Sequence, residues 1–286
     1  MEKISFSKMS GAGNDFIIID KVVNPQFVLS QNLIRKLCDR HYGIGADGVI
    51  TISDSKEYDF DMEYFNADGT TGSLCGNGAR CAIKFADRTG RIKQKKAKFL
   101  SNNVAYSGEV LDQNEIKFFL NTPKNLKYNF EIKLKDQKVN ACFADTGSPH
   151  VIIKIEDVLK DKNNPQSYYT DLNDFPVFEL GREIRYHSDF MPGGTNVNFV
   201  KLIDGKIFIR TYERGVENET LACGTGSTAA AVIAYTVFQL APPITLITFG
   251  GDKLVVNFKV QNKKVEDLSL TGPAEIIYNG EISLNI

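Results

Sequence analysis

The chain has 286 residues, of which 42% are hydrophobic and 24% are charged, values that are typical of a globular protein with one large or two medium domains. Its 34 basic and 35 acidic residues leave a net charge of -1, which argues against a partner held by electrostatics, such as a nucleic acid or a membrane surface. The five cysteines are sparse and odd in number, so we expect a reducing compartment and no disulfide framework.

Short segments rich in Ile, Val, Phe and Tyr predict that β-strands dominate the chain. In chain order they are residues 4–10, 15–20, 48–52, 59–66, 117–121, 150–155, 196–203, 206–213, 244–249, 253–260 and 274–284. A boundary fits within residues 120–129, where Pro123 and polar residues interrupt the strand pattern. We therefore expect one half made of residues 1–122 plus 272–286, to which the last strand returns, and a second half made of residues 123–271.

Two segments of the first half have the pattern of a helix. Residues 30–43 place Ser30 as the N-cap, apolar residues on one face and Gly43 just past the end. Residues 77–90 place apolar residues at i, i+3, i+4 and i+7 and stop at Gly90. Both patterns predict amphipathic helices that bury one face.

A third helix is predicted after Cys223, in a stretch from residue 220 to 251 that contains no charged residue. Its apolar part ends at Leu240, which is short of the roughly 20 residues that a bilayer requires. We therefore predict a helix buried on all sides within the protein. The N-terminus also lacks an apolar segment of signal-peptide length, and we expect a soluble, cytoplasmic protein that binds no membrane.

One short phrase occurs twice in the chain. "LCGNGARC" at residues 74–81 and "ACGTGSTA" at residues 222–229 each place a cysteine before a Gly-polar-Gly turn and an alanine-rich segment. The likeness extends further, because residues 59–86 and 206–234 both run from a strand through a polar loop to the cysteine and a helix. Two copies of one supersecondary unit predict two related half-domains that face each other.

A cysteine directly before a helix lies beside unpaired N–H groups and the positive end of the helix dipole, which stabilise a thiolate. The same N–H groups hold an anion such as a carboxylate, and glycines let the backbone approach it closely. One copy alone is more typical of close packing, but two copies favour a function. Two opposed thiols, one acting as base and the other as acid, are what a racemase or epimerase needs to invert an α-carbon.

Five segments together resemble the diaminopimelate epimerase family: "SGAGNDFIIID", "HYGIGADGVI", "FNADGTTGSLCGNGARC", "GGTNVNFV" and "TYERGVENETLACGTG". The resemblance implies a cofactor-independent enzyme that interconverts LL- and meso-diaminopimelate in the synthesis of lysine and peptidoglycan precursors. It implies an α/β (α+β) fold of two pseudo-symmetric halves, each a curved, mostly antiparallel sheet around a central helix, with the active site in the cleft between them. Homodimers are common in the family, so it also implies a homodimer.

The resemblance assigns roles to individual residues. Cys75 and Cys223 match the catalytic pair, and Glu213 with Arg214 matches the pair that reads the remote amino-acid head. The other implied substrate contacts are Asn14, Asn66 and Asn196, with Gly76, Asn77, Gly224 and Thr225 at the reacting carboxylate. His150 matches a histidine near the site, and its own pattern fits a structural role equally well.

Two positions depart from the family pattern. Ser148 stands where asparagine is usual, which removes an amide contact to the remote carboxylate, and Gly48 stands where some members carry glutamine. Both residues bear on how strictly the substrate is chosen. A proline-racemase-like or broader amino-acid racemase of the same fold therefore stays open as an alternative.

Other classes fit the residues less well. An isomerase of the phenazine-biosynthesis type lacks the cysteine pair, and a thiol redox protein would need a resolving cysteine closer than Cys81 is to Cys75. The remaining cysteines Cys38, Cys81 and Cys142 have the pattern of small core residues. The "GAGNDF" turn lacks the third glycine of a dinucleotide-binding loop. No His, Cys, Asp and Glu cluster has metal-ligand spacing, so we predict no metal, and the resemblance implies no cofactor.

Overall fold

The computed structural model describes residues 2–72 and 75–284. The chain divides into two compact units. Unit 1 comprises Met1–Phe119 with Thr271–Ile286, and unit 2 comprises Leu120–Leu270. Within the described residues no helix is both long and apolar enough to span a membrane.

Unit 1 is a sheet with two helices. Its strands are β1 (Glu2–Gly11), β2 (Asn14–Asp20), β3 (Gly48–Ser53), β4 (Phe60–Asn66), β5 (Lys96–Ser101), β6 (Val104–Val110), β7 (Glu115–Phe119) and β17 (Glu275–Leu284). Its helices are α1 (Gln31–Cys38) and α2 (Gly76–Arg88). The last strand of the chain pairs antiparallel with the first, which confirms that the C-terminal segment returns to the first half.

Unit 2 follows the same plan. Its strands are β8 (Lys124–Lys133), β9 (Lys138–Asp145), β10 (Pro149–Lys154), β11 (Asn196–Ile203), β12 (Lys206–Glu213), β13 (Asn218–Thr220), β14 (Ile244–Ile247), β15 (Lys253–Gln261) and β16 (Lys264–Pro273), the last three residues of which fall in unit 1. Its helices are α3 (Val177–Arg185) and α4 (Gly224–Val237), and two 3-10 turns cover Ile155–Asp157 and Ser188–Phe190.

The pairing directions of the two sheets match strand by strand. In unit 1, β1 to β6 pair in the order antiparallel, parallel, antiparallel, parallel, antiparallel. In unit 2, β9, β10, β11, β12, β14 and β15 repeat that order. Parallel neighbours need a crossover connection, and each of the four crossovers contains one of the four helices. The predicted mixed α/β fold with two pseudo-symmetric halves is confirmed.

One helix of each unit is surrounded by strands. Helix α2 contacts β1 to β4, β6, β7 and β17, and α4 contacts β8 to β12, β14 and β15. A sheet that touches one helix along so many strands has to curve around it. Helix α2 is buried on all sides through Ala86, rather than on one face as its periodicity predicts. Helix α4 is buried on all sides as predicted, but only as far as Ala234.

The helices α1 and α3 cover other faces of the strands. Ile17 and Ile19 of β2 pack with α1, in a cluster that includes Ile34 and Leu37. Their neighbour Phe16 points the other way, toward the start of α2. The central strands are therefore buried on both faces and lose the alternating pattern.

Some local predictions were wrong. Helix α1 has Ser30 as its N-cap, as predicted, but it ends at Cys38 instead of near Gly43. Asp39 has an extended backbone there, and its carboxylate accepts from the N–H groups of His41 and Tyr42, which starts a turn. Helix α3 and the strands β5, β6, β8, β9, β13 and β16 were not predicted. Helix α3 was missed because Gly181 interrupts its helical pattern. The structure requires this glycine, since a Cβ here would overlap the Tyr212 side chain.

Candidate active site

Both repeated phrases place their cysteine as the N-cap residue of the buried helix. Cys75 precedes α2 with φ -100° and ψ 117°, and Cys223 precedes α4 with φ -122° and ψ 112°. Each backbone carbonyl accepts the first helical hydrogen bond, from Ala79 at 2.8 Å and from Ser227 at 2.9 Å. The side chain of Cys223 is buried and that of Cys75 is partly exposed. Each cysteine therefore occupies the N-cap position that the sequence predicts, and the Cys223 sulfur accepts from a first-turn N–H, that of Gly226.

The glycines of the two phrases bring each helix close to its sheet. A Cβ on Gly226 would overlap the Oδ1 atom of Asn198 and lie 3.3 Å from the Cys223 sulfur. A Cβ on Gly78 would be less crowded, 3.1 Å from the Ile50 Cδ1 atom and 3.6 Å from the Cys75 Cβ atom. The helix of unit 2 is thus packed more tightly at its cysteine than the helix of unit 1.

Two asparagine side chains lie at the Cys75 thiol. The Cys75 Sγ donates to Oδ1 of Asn14, at the start of β2, over 3.6 Å. The same oxygen accepts from Nδ2 of Asn77 at 3.2 Å. Asn77 is 1% exposed and occupies the second position of α2. The structure therefore groups Asn14 and Asn77 with Cys75, as the family resemblance implies.

A cluster of four charged side chains supports Asn14. The Asn14 Nδ2 donates to Oδ2 of Asp47 at 2.6 Å. Arg40 bridges Asp47 at 2.8 Å and Asp15 at 2.8 Å, and Lys8 lies 2.6 Å from Asp15. Burial favours a raised pKa for Asp15, but the hydrogen bonds and charges of Arg40 and Lys8 outweigh burial and lower that pKa to about 2. No sequence pattern indicated this charged cluster.

Arg80 supports Asn77 from the other side. It is a fully buried arginine, and its Nη2 donates to Oδ1 of Asn77 at 3.0 Å. Its Nη1 donates to the Gly76 carbonyl at 3.3 Å, and its Nε to the Pro273 carbonyl at 3.3 Å. The first turn of α2 is thereby bound to a buried cation. The repeated phrase did not predict this cation, because its second copy has Thr228 at the position of Arg80.

A network of neutral polar groups surrounds the Cys223 thiol. The Sγ accepts from the N–H of Gly226 at 3.4 Å and lies 3.6 Å from Oγ1 of Thr225. Oγ1 of Thr225 lies 2.9 Å from Nε2 of His150 and 3.2 Å from the Ser148 hydroxyl. The sequence-predicted residues Thr225, His150 and Ser148 are therefore in one hydrogen-bonded group at Cys223.

The partners of His150 fix its tautomer. Nδ2 of Asn198 donates to the Val151 carbonyl at 2.9 Å and lies 3.1 Å from Nδ1 of His150. Because an amide nitrogen can only donate, Nδ1 of His150 accepts from it. Nε2 of His150 therefore carries the proton and donates to the hydroxyls of Thr225 and Ser148. Burial lowers the pKa of His150 to about 3, so the ring is neutral at neutral pH. Asn198 was not predicted, although it follows Asn196 by two residues and so shares its face of β11.

The Glu213–Arg214 pair lies where strand β12 ends, so the two side chains are not held on opposite faces of a strand. The N–H of Arg214 donates to Oδ1 of Asn196 at 2.8 Å. The Arg214 guanidinium donates to the Gly193 carbonyl at 3.2 Å, and no carboxylate among the described residues forms a salt bridge with it. Glu213 accepts from the Thr220 hydroxyl at 3.0 Å. Arg214 thus presents a half-buried cation that can pair with an anionic ligand.

Other predicted positions contribute less. Asn66 ends β4 and donates to the Thr70 hydroxyl at 3.0 Å within its own turn. At Gly48, a Cβ would lie 2.6 Å from the Phe65 carbonyl, so glutamine does not fit this backbone without a shift. Within residues 2–72 and 75–284, no three His, Cys, Asp or Glu side chains are grouped to hold a metal ion.

The other three cysteines belong to the core, as predicted. Cys38, Cys81 and Cys142 are at most 6% exposed. Burial raises the pKa of Cys38 and of Cys81 to about 12, and it also raises the pKa of Cys142. These thiols stay protonated and unreactive at neutral pH.

Solved structures place the fold in one architecture. A phenazine biosynthesis protein from Bacillus anthracis covers 99% of this chain and 100% of its own at a TM-score of 0.70 and 13% identity. A probable proline racemase from Agrobacterium radiobacter K84 covers 99% and 93% at a TM-score of 0.72 and 12% identity. At such low identities the likeness defines the fold class alone, an α/β fold shared by racemases and other isomerases.

Sequence comparison identifies the family within that class. The model of the diaminopimelate epimerase family matches residues 6–119 and 142–277. A diaminopimelate epimerase from Aquifex aeolicus is 36% identical over 292 residues, which are 98% of each chain. The chain therefore belongs to the diaminopimelate epimerase family, and it is an isomerase.

Proposed function

We propose that the chain interconverts LL- and meso-diaminopimelate without a cofactor, by proton transfer between the α-carbon and the thiols of Cys75 and Cys223. The observation that carries this proposal is the repeated placement of a cysteine as the N-cap of a buried helix, once in each unit. Nothing in a core-packing role requires the same reactive geometry twice. The other cysteines of the chain are buried thiols with raised pKa values, which leaves this pair as the reactive ones.

The chemistry is a one-proton exchange at carbon. One thiolate removes the α-proton and becomes a thiol, and the other thiol gives its proton to the opposite face and becomes a thiolate. The sum of protons and charges is unchanged, and the two thiols exchange roles in the reverse direction. General acid–base catalysis of this kind contributes a factor of about 10²–10⁴.

The α-proton of an amino acid is weakly acidic, so the negative charge that develops on the carboxylate has to be stabilised as well. The first helical residues Gly76, Asn77, Gly224 and Thr225 supply N–H groups of the kind that hold carboxylates at helix N-termini. We assign the reacting carboxylate to them. The charge is then met by fixed dipoles that do not need to reorganise during the reaction.

We assign the remote amino-acid head to Glu213 and Arg214. Diaminopimelate carries a second carboxylate and a second ammonium group, and these match the guanidinium of Arg214 and the carboxylate of Glu213 in charge. Burial and the charge of Arg185 lower the pKa of Arg214, which indicates a cation that lacks a full counter-charge in the protein. A compact ring substrate such as proline has no use for this pair.

A coupled assay with LL- and meso-diaminopimelate, and with glutamate, aspartate and proline as comparison substrates, tests the proposal. We expect diaminopimelate to be epimerised in both directions by the purified protein with no added cofactor. Turnover of proline in preference to diaminopimelate would instead support the proline-racemase-like alternative. Comparable turnover of several amino acids would support a broader racemase, consistent with Ser148 in place of asparagine.

Three further assignments are part of the proposal, of which two rest on the family resemblance and one, the location, rests on the sparse cysteines. They are a role in lysine and peptidoglycan precursor synthesis, a location in the cytoplasm, and a homodimer. Analytical ultracentrifugation tests the homodimer directly, because a single species at the monomer mass would contradict it.

A further inference from the structure

We propose that Asp47 is a positioning residue that fixes the orientation of the Asn14 amide, so that the amide oxygen accepts a hydrogen bond from the Cys75 thiol. The inference rests on the proposed catalytic role of Cys75. Asp47 itself lies one side chain away from the thiol, in the loop before β3, and acts through Asn14.

The hydrogen bonds of Asp47 place donors at both of its oxygens, although burial and the charge of Asp15 raise its pKa. Its Oδ1 accepts from Arg40 at 2.8 Å. Its Oδ2 accepts from the Asn14 amide at 2.6 Å and from the N–H of Asp15 at 3.2 Å. Both carboxyl oxygens are thus occupied as acceptors, and the oxygen that faces Asn14 also accepts from a backbone N–H. The Asn14 amide therefore has to turn its NH2 group toward Asp47 and its oxygen toward Cys75.

Asn77 is fixed in the same way from the opposite end. The Arg80 guanidinium, which can only donate, occupies Oδ1 of Asn77 at 3.0 Å. Nδ2 of Asn77 is then directed at Oδ1 of Asn14, at 3.2 Å. The two amides thus form a chain with one polarity, from the guanidinium of Arg80 to the carboxylate of Asp47, and Cys75 joins it at the shared Asn14 oxygen.

The consequence is a difference between the two thiols. At Cys223 the sulfur accepts from the Gly226 N–H, which favours a thiolate. At Cys75 the sulfur faces a fixed acceptor, which favours a thiol. In the direction that starts from a Cys223 thiolate and a Cys75 thiol, this difference prepares both groups before the substrate arrives.

The Asp47→Asn variant tests the proposal, because an asparagine can present either oxygen or nitrogen and releases the Asn14 amide. The rate of alkylation of Cys75 by iodoacetamide at pH 7 is measured by mass spectrometry of its peptide, with the Cys223 peptide from the same sample as reference. Loss of one hydrogen bond to the thiol is expected to raise the Cys75 rate by about two- to tenfold and leave the Cys223 rate unchanged.

The control is Asp20→Asn, since Asp20 also forms a buried salt bridge in unit 1, with Arg91, but bonds to Val22 instead of Asn14. It should leave the Cys75 rate unchanged. In an Asn14→Ala background, which should itself raise the Cys75 rate, Asp47→Asn should add nothing, because Asp47 acts through Asn14.

An unchanged Cys75 rate in Asp47→Asn or in Asn14→Ala would overturn the proposal, and so would an equal increase in Asp20→Asn or an added effect in the Asn14→Ala background. If Asp47→Asn does not fold, Asn14→Ala alone decides. The epimerase assay on the parental protein separates the two proposals. A parental protein that fails to epimerise refutes the proposed function, whereas epimerisation with an unchanged Cys75 rate in the variants refutes only the role of Asp47.

Discussion

Both cysteines occupy the N-cap of a buried helix, but the polar side chains around the two thiols differ in charge. At Cys75 the polar support is ionic, because Asn14 is held by Asp47 within a cluster of Lys8, Asp15 and Arg40. At Cys223 the hydrogen bonds run through Thr225, Ser148, His150 and Asn198, whose side chains are neutral. The two copies of this supersecondary unit thus differ mainly through residues that lie outside the repeated phrase.

This difference has a physical meaning. A neutral network that donates to sulfur stabilises a thiolate, and an oriented acceptor stabilises a thiol. The contacts at Cys75 and Cys223 thus favour different protonation states of the two thiols. The following predictions separate the two sites, from the largest expected effect to the smallest.

Single replacement of Cys75 or of Cys223 by Ala should each reduce epimerisation by at least about 10²-fold, because each thiol serves one face of the α-carbon. Initial rates in both directions measure the loss. Cys81→Ala serves as the matched control, since this buried thiol is not part of the proposed mechanism. If either catalytic-site variant retained a comparable rate, the requirement for two thiols would be wrong.

Arg214→Ala should lower kcat/KM for diaminopimelate by a factor that corresponds to a loss on the order of 2–5 kcal/mol in transition-state stabilisation, because a substrate carboxylate would be left without its cation. Arg40→Ala should show the reverse pattern, with a larger loss of stability than of activity, because Arg40 is already paired with Asp15 and Asp47. Steady-state kinetics and urea denaturation of both variants measure the contrast. Near-parental kcat/KM in Arg214→Ala would refute its assignment to the remote head.

Gly226→Ala should destabilise the protein by about 1–3 kcal/mol, and Gly78→Ala by less. The added methyl group overlaps Asn198 at position 226, whereas at position 78 its nearest neighbour is the end of the flexible Ile50 side chain. Urea denaturation of the two variants measures the difference. Equal losses would show that the two helices are packed with equal tightness at their cysteines.

The two sites should lose stability in different pH ranges. His150 is neutral in the folded protein, with a pKa of about 3 that lies below its usual value of 6.5. The contribution of the neutral ring to the free energy of unfolding is therefore complete above pH 6.5 and is lost as the pH falls toward 3. Asp15, with a pKa lowered from 3.8 to about 2, loses its contribution only below about pH 4.

The measurement is the free energy of unfolding between pH 7 and pH 5, in the parental protein and in His150→Asn. The parental protein should lose up to about 1.4 kcal/mol per pH unit more than the variant below pH 6.5. Parallel curves for the two proteins would contradict a buried neutral His150. Asp15→Asn should parallel the parental curve over this range, since Asp15 is ionised throughout it.

The sequence predicted most elements whose pattern is local. Strands β1 to β4, β10 to β12 and β15 carry runs of β-branched and aromatic residues, and the pattern of glycine after cysteine indicated the starts of α2 and α4. The missed strands β8 and β16 are polar on their exposed faces. They contain Asn and Asp residues such as Asn125 and Asp267, which are typical of loops in a sequence and which have a positive φ in the structure.

At the site, the repeat indicated the two cysteines, but it could not indicate what supports them. Asp47 lies 33 residues from Asn14 and bonds to it only because β2 and β3 are parallel neighbours. Arg80 was hidden inside a helix whose pattern predicts a core face, and a buried guanidinium has no periodic signature. Long-range polar contacts of this kind depend on the fold, so the sequence alone predicted the thiols and not the difference between them.

The most direct test of the two-thiol account is epimerisation of LL-diaminopimelate in heavy water, with each isomer analysed by mass spectrometry and NMR from the first turnover. If one thiol removes the proton and a different thiol delivers its own, the meso product carries one solvent deuterium at the inverted carbon. The unreacted LL substrate meanwhile keeps its protium. Deuterium that enters the unreacted substrate as fast as the product, or product that retains the substrate's protium, would show that a single group handles both faces and would contradict the account.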